Sequence, residues 1–169
     1  YAKRTVEGDI GMRYSIHGIV DATDIARVSE LSGLSEQRCK ELIDYLSVHT
    51  DVVPKDDDDE LEALDYALAS LAIEVAVTRH AGHLEQYYSP MGISYMQMGK
   101  DLTAVKTVIV TGGALIHTKR TAQIASHALF NPLDAFSLKP KEAQVLVDRK
   151  YILAAMGILS TCLLYTSDA

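Results

Sequence analysis

The stretch Thr107-Val108-Ile109-Val110-Thr111-Gly112-Gly113-Ala114 decides the fold class of this chain. Its first five residues are all β-branched, a composition that predicts a central strand of a parallel sheet. Two glycines end the strand, so a ligand could lie against bare backbone, and free N–H groups beside a helix start favour anions. A plain tight turn would leave the same pattern, and both interpretations stay open at this point.

A second β run, Gln144-Val145-Leu146-Val147, passes through Asp148 into an apolar helix predicted over Tyr151–Ser160. Between the two β runs, a helix rich in small residues is expected around Arg120–Leu129. The order strand, helix, strand, helix predicts an α/β domain. Ligands of such sheets bind at the carboxyl ends of the strands, which makes Thr111, Gly112, Gly113 and Ala114 the candidate binding residues.

The segment before this unit has helical periodicity. Ile16, Ile19 and Val20 stand at helical spacing. Asp24 or Thr23 can cap a short helix that runs through Leu31, and Gly33 can end it. A further helix is predicted to open at Ser35, with Leu42, Ile43 and Leu46 on its apolar face.

A long segment after the acidic run Asp56–Glu60 is predicted to form one helix over Glu60–Tyr88, ended by Pro90-Met91-Gly92. The helical part as a whole is interpreted as an insertion over residues 22–90, approximately. Tyrosines and methionines gather around its end, and they predict core or interface packing or a partner groove. They are Tyr87, Tyr88, Met91, Tyr95, Met96 and Met98.

Composition excludes several classes of function. The chain has 169 residues, 48% of them hydrophobic, which is enough for a core and argues against global disorder. A formal net charge of −7 argues against a nucleic-acid surface, which needs clustered lysine and arginine. No apolar run has the ~18 residues that a membrane span needs. One of the two cysteines, Cys162, lies in a suspect tail, so Cys39 stands alone and fits a reducing cytoplasm.

Three other motifs have a functional and a structural interpretation. Gly8-Asp9-Ile10-Gly11 could begin a phosphate loop, but no Ser or Thr follows it, so a structural turn with Arg13 paired to an acid is favoured. His80 and His83 stand three apart on the predicted helix and could hold a metal, but no third ligand is evident. The acidic run lacks the alternating ligands of a calcium loop, so a solvated loop is favoured. No metal site and no catalytic residue is therefore assigned.

The two ends of the chain have an unusual sequence. Residues 161–169 match a translated transposase-end sequencing adapter, and the chain starts at Tyr1 rather than at methionine. We therefore expect a fragment whose native sequence stops near Ser160, with a tail that was never selected to pack.

Five separated blocks together resemble the MutL/GlmL family associated with glutamate (methylaspartate) mutase, which is distinct from the DNA mismatch-repair protein called MutL. The blocks are Ala2–Arg13, Arg79-His80-Ala81-Gly82, Val110-Thr111-Gly112-Gly113, Leu138-Lys139-Pro140 and Tyr151–Gly157.

The resemblance implies a partial actin-like ATPase domain of the ribonuclease H-like class, related to Hsp70 and sugar kinases. Residues 1–160 would be its C-terminal part, with the helical insertion inside it. Thr111-Gly112-Gly113, with Ala114, would be the adenosine motif for ATP or ADP with Mg²⁺, and Tyr151–Leu159 would be the second connecting helix. The phosphate-binding loops of the family would lie upstream of Tyr1, so the fragment alone is expected to be inactive.

The implied role is that of a cytoplasmic accessory protein that reactivates an adenosylcobalamin-dependent mutase by exchanging its damaged cofactor. Mutase subunits would be the partners, a homo-oligomer is also considered, and nucleic acid and membrane are not expected. Two alternatives stay open, a small-molecule phosphotransferase of the same superfamily and a nucleotide-free scaffold.

Overall fold

The computed structural model describes residues 6–55 and 57–166, with side chains up to residue 162. It is a mixed structure of helices and small sheets. Its helices are α1 (Ile16–Thr23), α2 (Ile25–Ser32), α3 (Glu36–Val48), α4 (Asp59–His80), α5 (Gly113–Ile116), α6 (Thr121–Ser126) and α7 (Leu153–Thr166). Its strands are β1 (His83–Ser89), β2 (Gly92–Met98), β3 (Thr107–Val110) and β4 (Gln144–Val147).

Local capping signals place the short helices where the sequence predicts them. The Asp24 carboxylate accepts a hydrogen bond from the N–H of Ala26 and opens α2, and Gly33 ends that helix with φ 73°. The Ser35 hydroxyl accepts from the N–H of Arg38 and opens α3. Each cap satisfies a backbone group that has no partner within the helix. The predicted starts of α2 and α3 are therefore confirmed.

Helix α4 joins two hydrophobic cores. Its residues Leu64, Leu68 and Leu71 are buried against α1, α2 and α3 in the first core. Ala69 lies on another face of α4 and packs in the second core, which is built around the parallel strands and α6. Apolar side chains on more than one face are typical of a helix that is enclosed by its neighbours. The helical part is thereby packed directly onto the strands that carry the candidate site.

The predicted helix Glu60–Tyr88 is wrong in its last part. Helix α4 ends at His80, and residues 83–98 form an antiparallel hairpin in which Ser89 pairs with Gly92 around Pro90-Met91. The chain changes conformation at Gly82, where an added Cβ would collide with the Met98 carbonyl oxygen. Such a close backbone approach admits only glycine. Pro90-Met91-Gly92 is therefore a hairpin turn and does not end a helix.

Strands β3 and β4 form the predicted parallel pair, with Val110 opposite Val147. The expectation of a central strand is met only in part, because β3 has one neighbouring strand in the described chain. Val110 is buried, whereas Ile109 on the opposite face is 50% exposed. One face of this sheet packs in the second core and the other is open, although the sequence is apolar on both.

Helix α7 confirms the predicted helix after β4. The Asp148 carboxylate accepts hydrogen bonds from the N–H groups of Ile152 and Leu153, at 3.3 Å and 3.1 Å, which fixes the start of the helix. Residues 153–162 are exposed along their whole length. The side chains of residues 163–166 lie outside the description, so the expectation that the tail packs little stays a prediction.

Among the residues that the structure describes, no helix is both long and apolar enough to cross a membrane.

Candidate functional site

The glycine pair lies at the carboxyl end of β3, as predicted. Gly112 adopts φ 113° and ψ 150° and turns the chain sharply from the strand into α5. Its carbonyl oxygen accepts hydrogen bonds from the N–H groups of Leu115 and Ile116, at 3.0 Å and 3.1 Å. The N–H groups of Gly113 and Ala114, in the same first turn, take no part in these hydrogen bonds. The turn therefore leaves these two backbone donors at the end of the strand.

The two glycines serve different purposes. Gly112 has a φ that L side chains rarely adopt, so a side chain there would strain the backbone whatever space is available. Gly113 has no such restriction, and an added Cβ would meet only Tyr151 Oη at 3.9 Å and His117 Cδ2 at 4.0 Å. Gly112 is thus required by the turn itself. Gly113 is not required by the fold, and the volume that its missing side chain leaves free is the feature that a ligand could use.

A cleft of about 510 Å³ opens beside Gly113 and Ala114. One wall comes from α4 and the loop that precedes it, and the other from α5 and the residues that follow. The lining residues are Met12, Arg13, Thr50, Val53, Pro54, Lys55, Glu62, Asp65, Tyr66, Gly113, Ala114, His117, Thr118, Lys119 and Ile124. A volume of this size is within the ordinary range of small-molecule sites. Two of the four predicted binding residues therefore line a cleft, whereas Thr111 and Gly112 lie outside its lining.

An ion pair fixes the inner end of the cleft. Arg13 donates from both terminal nitrogens to the two carboxylate oxygens of Asp65, each at 2.8 Å. The same guanidinium donates to the carbonyl oxygens of Val52 and Met12, at 3.0 Å and 2.7 Å. Every branch of the guanidinium is thus engaged, and the pair positions α4 against the adjoining loops. The predicted pairing of Arg13 with an acid is confirmed, and Gly8–Gly11 is a turn before it.

Two lysines give the cleft cationic side chains that are not engaged in this way. Lys55 lies on the α4 side and Lys119 on the α5 side. Neither forms a salt bridge with a carboxylate among the described residues. An ammonium group is a common partner of phosphate oxygens in proteins. The two walls can therefore offer positive charge to an anionic ligand.

An aromatic group also faces the cleft. Tyr66 of α4 is half-buried, and the Arg120 guanidinium carbon lies 3.2 Å from the centroid of its ring. This stacked arrangement is a cation–π contact between the two walls. Sequence reasoning missed both residues, because nothing local marks a tyrosine and an arginine that meet only in the tertiary structure. The cleft is thus lined by a half-buried tyrosine, two lysines and an open glycine.

The carboxyl end of the neighbouring strand, β4, is engaged in hydrogen bonds within the protein. The Asp148 N–H donates to the carbonyl oxygen of Val110 at 2.9 Å, which extends the parallel ladder to the glycine turn. The pKa of the Asp148 carboxyl is lowered, chiefly by its hydrogen bond from the N–H of Leu153 and by further backbone N–H groups. Asp148 is thus a helix cap held in its ionised form. We assign it no role toward a ligand.

The two histidines considered as metal ligands belong to different elements. His80 ends α4, with its Nε2 3.4 Å from Lys100 Nζ, and His83 begins β1, with its Nε2 3.3 Å from Glu85 Oε1. Their predicted placement on one helix is wrong for the reason given above, the change of conformation at Gly82. Across residues 6–55 and 57–166, no group of three or more His, Cys, Asp or Glu side chains is arranged to hold a metal ion.

A second polar cluster joins α4 to α2, α6 and the segment before β4. The Glu74 carboxylate lies 3.1 Å from His127 Nδ1 and 3.4 Å from an Arg27 terminal nitrogen. The hydrogen bond with His127, together with the charges of Arg27 and Lys139, lowers the pKa of Glu74 despite its partial burial. Burial lowers the pKa of Lys139, which is 5% exposed. This cluster lies apart from the glycine turn and holds the two cores together.

Comparisons with known proteins agree with one another. The sequence model of the MutL protein family matches residues 1–166. The "Protein MutL" of Clostridium tetanomorphum is 40% identical over 166 residues, which cover 95% of this chain and 34% of the relative. The chain thus spans about a third of the length of that curated relative. No solved structure matches, so the actin-like ATPase fold stays a prediction. On the extent of the family match and the identity to its curated member, the chain belongs to the MutL protein family.

Proposed function

We propose that this chain supplies one side of an adenine-nucleotide cleft in an accessory protein that serves an adenosylcobalamin-dependent mutase, with glutamate mutase as the first candidate. The observation that carries the nucleotide part is the open position at Gly113. It follows a parallel strand, lies at the wall of a cleft of about 510 Å³, and leaves free the volume that a side chain would fill. This is the placement in which strand-end glycines admit a ligand against the backbone.

The chemical character of the residues in the cleft suits such a ligand. The backbone of Gly113 and Ala114 would lie against the adenosine, the Tyr66 ring covered by Arg120 would form part of the wall, and Lys55 and Lys119 would offer charge to the phosphates. When bound with Mg²⁺, ATP would supply the free energy of its hydrolysis for a change of conformation. The residues of this chain would bind and orient it, and no catalytic residue is assigned among them.

The intact protein would then be a two-lobed ATPase of the actin and Hsp70 type. The parallel β3–β4 pair, the glycine turn and the helical part packed on the strands support this proposal. The chain covers 34% of its curated relative, so the activity of the whole protein is inferred from one part of it.

The mutase part of the proposal rests on membership of the MutL family and on its resemblance to glutamate mutase-associated proteins. A mutase that depends on adenosylcobalamin is inactivated when the cofactor loses its adenosyl group. A nucleotide-driven partner that opens the mutase would allow the damaged cofactor to be replaced.

A reactivation assay tests this function. Cobalamin-inactivated mutase is incubated with an intact family protein that carries this segment, with fresh adenosylcobalamin, and with or without ATP and Mg²⁺. We expect activity to return only when both the protein and ATP are present. Return without ATP would favour the scaffold alternative, and ATP consumption that requires a small hydroxy or carboxy substrate would favour the phosphotransferase.

A further inference from the structure

Tyr151 has a backbone conformation that tyrosine rarely adopts. Its φ is 53°, in the left-handed region, where the Cβ atom of an L residue comes close to the following carbonyl oxygen. Among the described residues, the other non-glycine residue with a positive φ is Asp24, which uses its short polar side chain to cap α2. A bulky side chain in this region is an outlier that costs free energy. The reason for a tyrosine here therefore lies in its side chain.

The turn between β4 and α7 imposes this conformation. The Asp148 carboxylate accepts hydrogen bonds from the N–H groups of Ile152 and Leu153, so the chain turns sharply between residues 148 and 153. Asn or Gly would adopt the left-handed conformation at a lower cost, because Asn is tolerated there and Gly has no Cβ. The turn by itself thus favours a residue other than tyrosine.

The side chain of Tyr151 reaches the candidate site. Its hydroxyl oxygen lies 3.9 Å from the position that a Cβ of Gly113 would occupy, and His117 Cδ2 lies 4.0 Å from the same point. The volume left free at Gly113 is thus bounded by Tyr151, from the turn after β4, and by His117, which follows α5. Tyr151 therefore stands at the border of the cleft rather than in its lining, where a ligand against Gly113 would meet its hydroxyl.

The hydroxyl suits one part of the proposed ligand better than the other. A tyrosine hydroxyl can both donate and accept a hydrogen bond. A nucleoside carries hydroxyls and ring nitrogens that use both kinds of partner, whereas phosphate oxygens have Lys55 and Lys119 available in the cleft. Because the nucleoside is the part proposed to lie against Gly113, it is also the part that the Tyr151 hydroxyl would face.

We propose that Tyr151 is a nucleoside-binding residue, which the turn between β4 and α7 holds in a left-handed conformation so that its hydroxyl hydrogen-bonds the adenosine of a nucleotide at Gly113. This role rests on the nucleotide site of the proposed function. It means that the segments after both parallel strands, β3 and β4, contribute to binding.

Calorimetric titration of an intact family protein that carries this segment tests the role, with ATP and ADP as separate ligands in the presence of Mg²⁺. Tyr151→Phe removes only the hydroxyl, and we expect it to weaken the binding of both nucleotides by the same factor, about three- to tenfold. Tyr151→Asn removes the ring as well and should weaken binding about tenfold or more. Tyr88→Asn makes the same change at an exposed tyrosine of β1 outside the cleft and should bind both nucleotides as the wild type does.

Melting temperatures without nucleotide separate a binding role from a structural one. Asn adopts the left-handed region more readily than tyrosine, so Tyr151→Asn should melt at the wild-type temperature or above it while binding nucleotide less tightly. A lower melting temperature of Tyr151→Asn would show that the tyrosine is retained for packing, and would contradict the proposal.

Failure of this role can be distinguished from failure of the nucleotide site. If the wild type binds neither nucleotide, the proposed function fails and the role of Tyr151 fails with it. If the wild type binds ATP and Tyr151→Phe binds it equally well, the role of Tyr151 alone is overturned. A loss in Tyr151→Phe that appears with ATP but not with ADP would place the hydroxyl at the phosphates and would overturn its assignment to the nucleoside.

Discussion

Removing the Asp65 carboxylate is expected to be among the more damaging single changes in this chain. Arg13 and Asp65 form a bidentate pair with both distances at 2.8 Å, and their side chains are only 13% and 18% exposed. In Asp65→Ala the guanidinium keeps its hydrogen bonds to the Met12 and Val52 carbonyl oxygens but loses its only countercharge in the pair. A charge would then remain at a largely buried position without compensation.

The magnitude lies between two limits. Breaking a fully buried ion pair by removing one partner costs about 3–5 kcal/mol, and an exposed pair is worth about 0.2–1 kcal/mol. Because both side chains retain some contact with water, we expect Asp65→Ala to lower the free energy of unfolding by about 2–3 kcal/mol. Urea denaturation followed by circular dichroism measures this change. The dependence of the free energy of unfolding on urea concentration should be the same in both proteins, which shows that the same transition is compared.

The matched control is Glu62→Ala, on the same helix and exposed. It removes a carboxylate near the start of α4 and should cost less than about 1 kcal/mol. In the double variant Arg13→Ala/Asp65→Ala, the loss should be smaller than the sum of the two single losses, because the orphaned charge is gone. An Asp65→Ala loss no greater than that of Glu62→Ala would refute the account of this pair.

Two further predictions concern α4. Asp58 accepts a hydrogen bond from the N–H of Leu61 at 3.0 Å. Asp58→Ala should therefore lower the free energy of unfolding by about 1 kcal/mol, whereas Asp58→Ser, which keeps a capping oxygen, should lower it much less. Thermal denaturation compares the two variants, and equal losses would contradict the capping role. Because the pKa of Glu74 is lowered below its ordinary value of 4.5, its ionised form stabilises the fold above that pH, and the contribution is lost as the pH falls through the lowered value. Glu74→Gln should therefore make the fall of stability in acid shallower than in the wild type, and identical acid profiles would contradict this.

Features that depend only on residues close together in the chain could be predicted from the sequence. Asp24 and Ser35 open helices because a side-chain oxygen reaches a backbone N–H two or three residues away, and Gly33 ends one because it can adopt a positive φ. The parallel strands and the glycine turn at Gly112 were predictable for the same reason. Their β-branched residues favour a strand, and glycine admits the positive φ of the turn.

The missed features depend on residues that meet only after folding. Residues 83–88 continue the helical segment without a strong break, and only pairing with residues 93–98 makes them a strand. Gly82 marked the change, but its meaning depends on the approach of the Met98 carbonyl group. The Tyr66–Arg120 contact likewise joins α4 to the residue before α6, and no local pattern indicates it.

The central claim is that Gly113 lies against a nucleotide, and calorimetric titration of ATP with Mg²⁺ tests it most directly. The titration uses an intact family protein that carries this segment, as wild type, as Gly113→Val and as the control Gly8→Val. Both glycines are open positions without a positive φ, and Gly8 lies outside the cleft, whereas Gly112 would confound the test through backbone strain.

We expect Gly113→Val to weaken ATP binding by about 1–3 kcal/mol, the scale of a steric change in a close-fitting pocket, and Gly8→Val to bind as the wild type does. The melting temperature should fall for Gly113→Val mainly in the presence of ATP, since a ligand that binds only the folded state stabilises it by mass action. Equal affinities for wild type and Gly113→Val, or no binding of ATP by the intact wild type, would contradict the account.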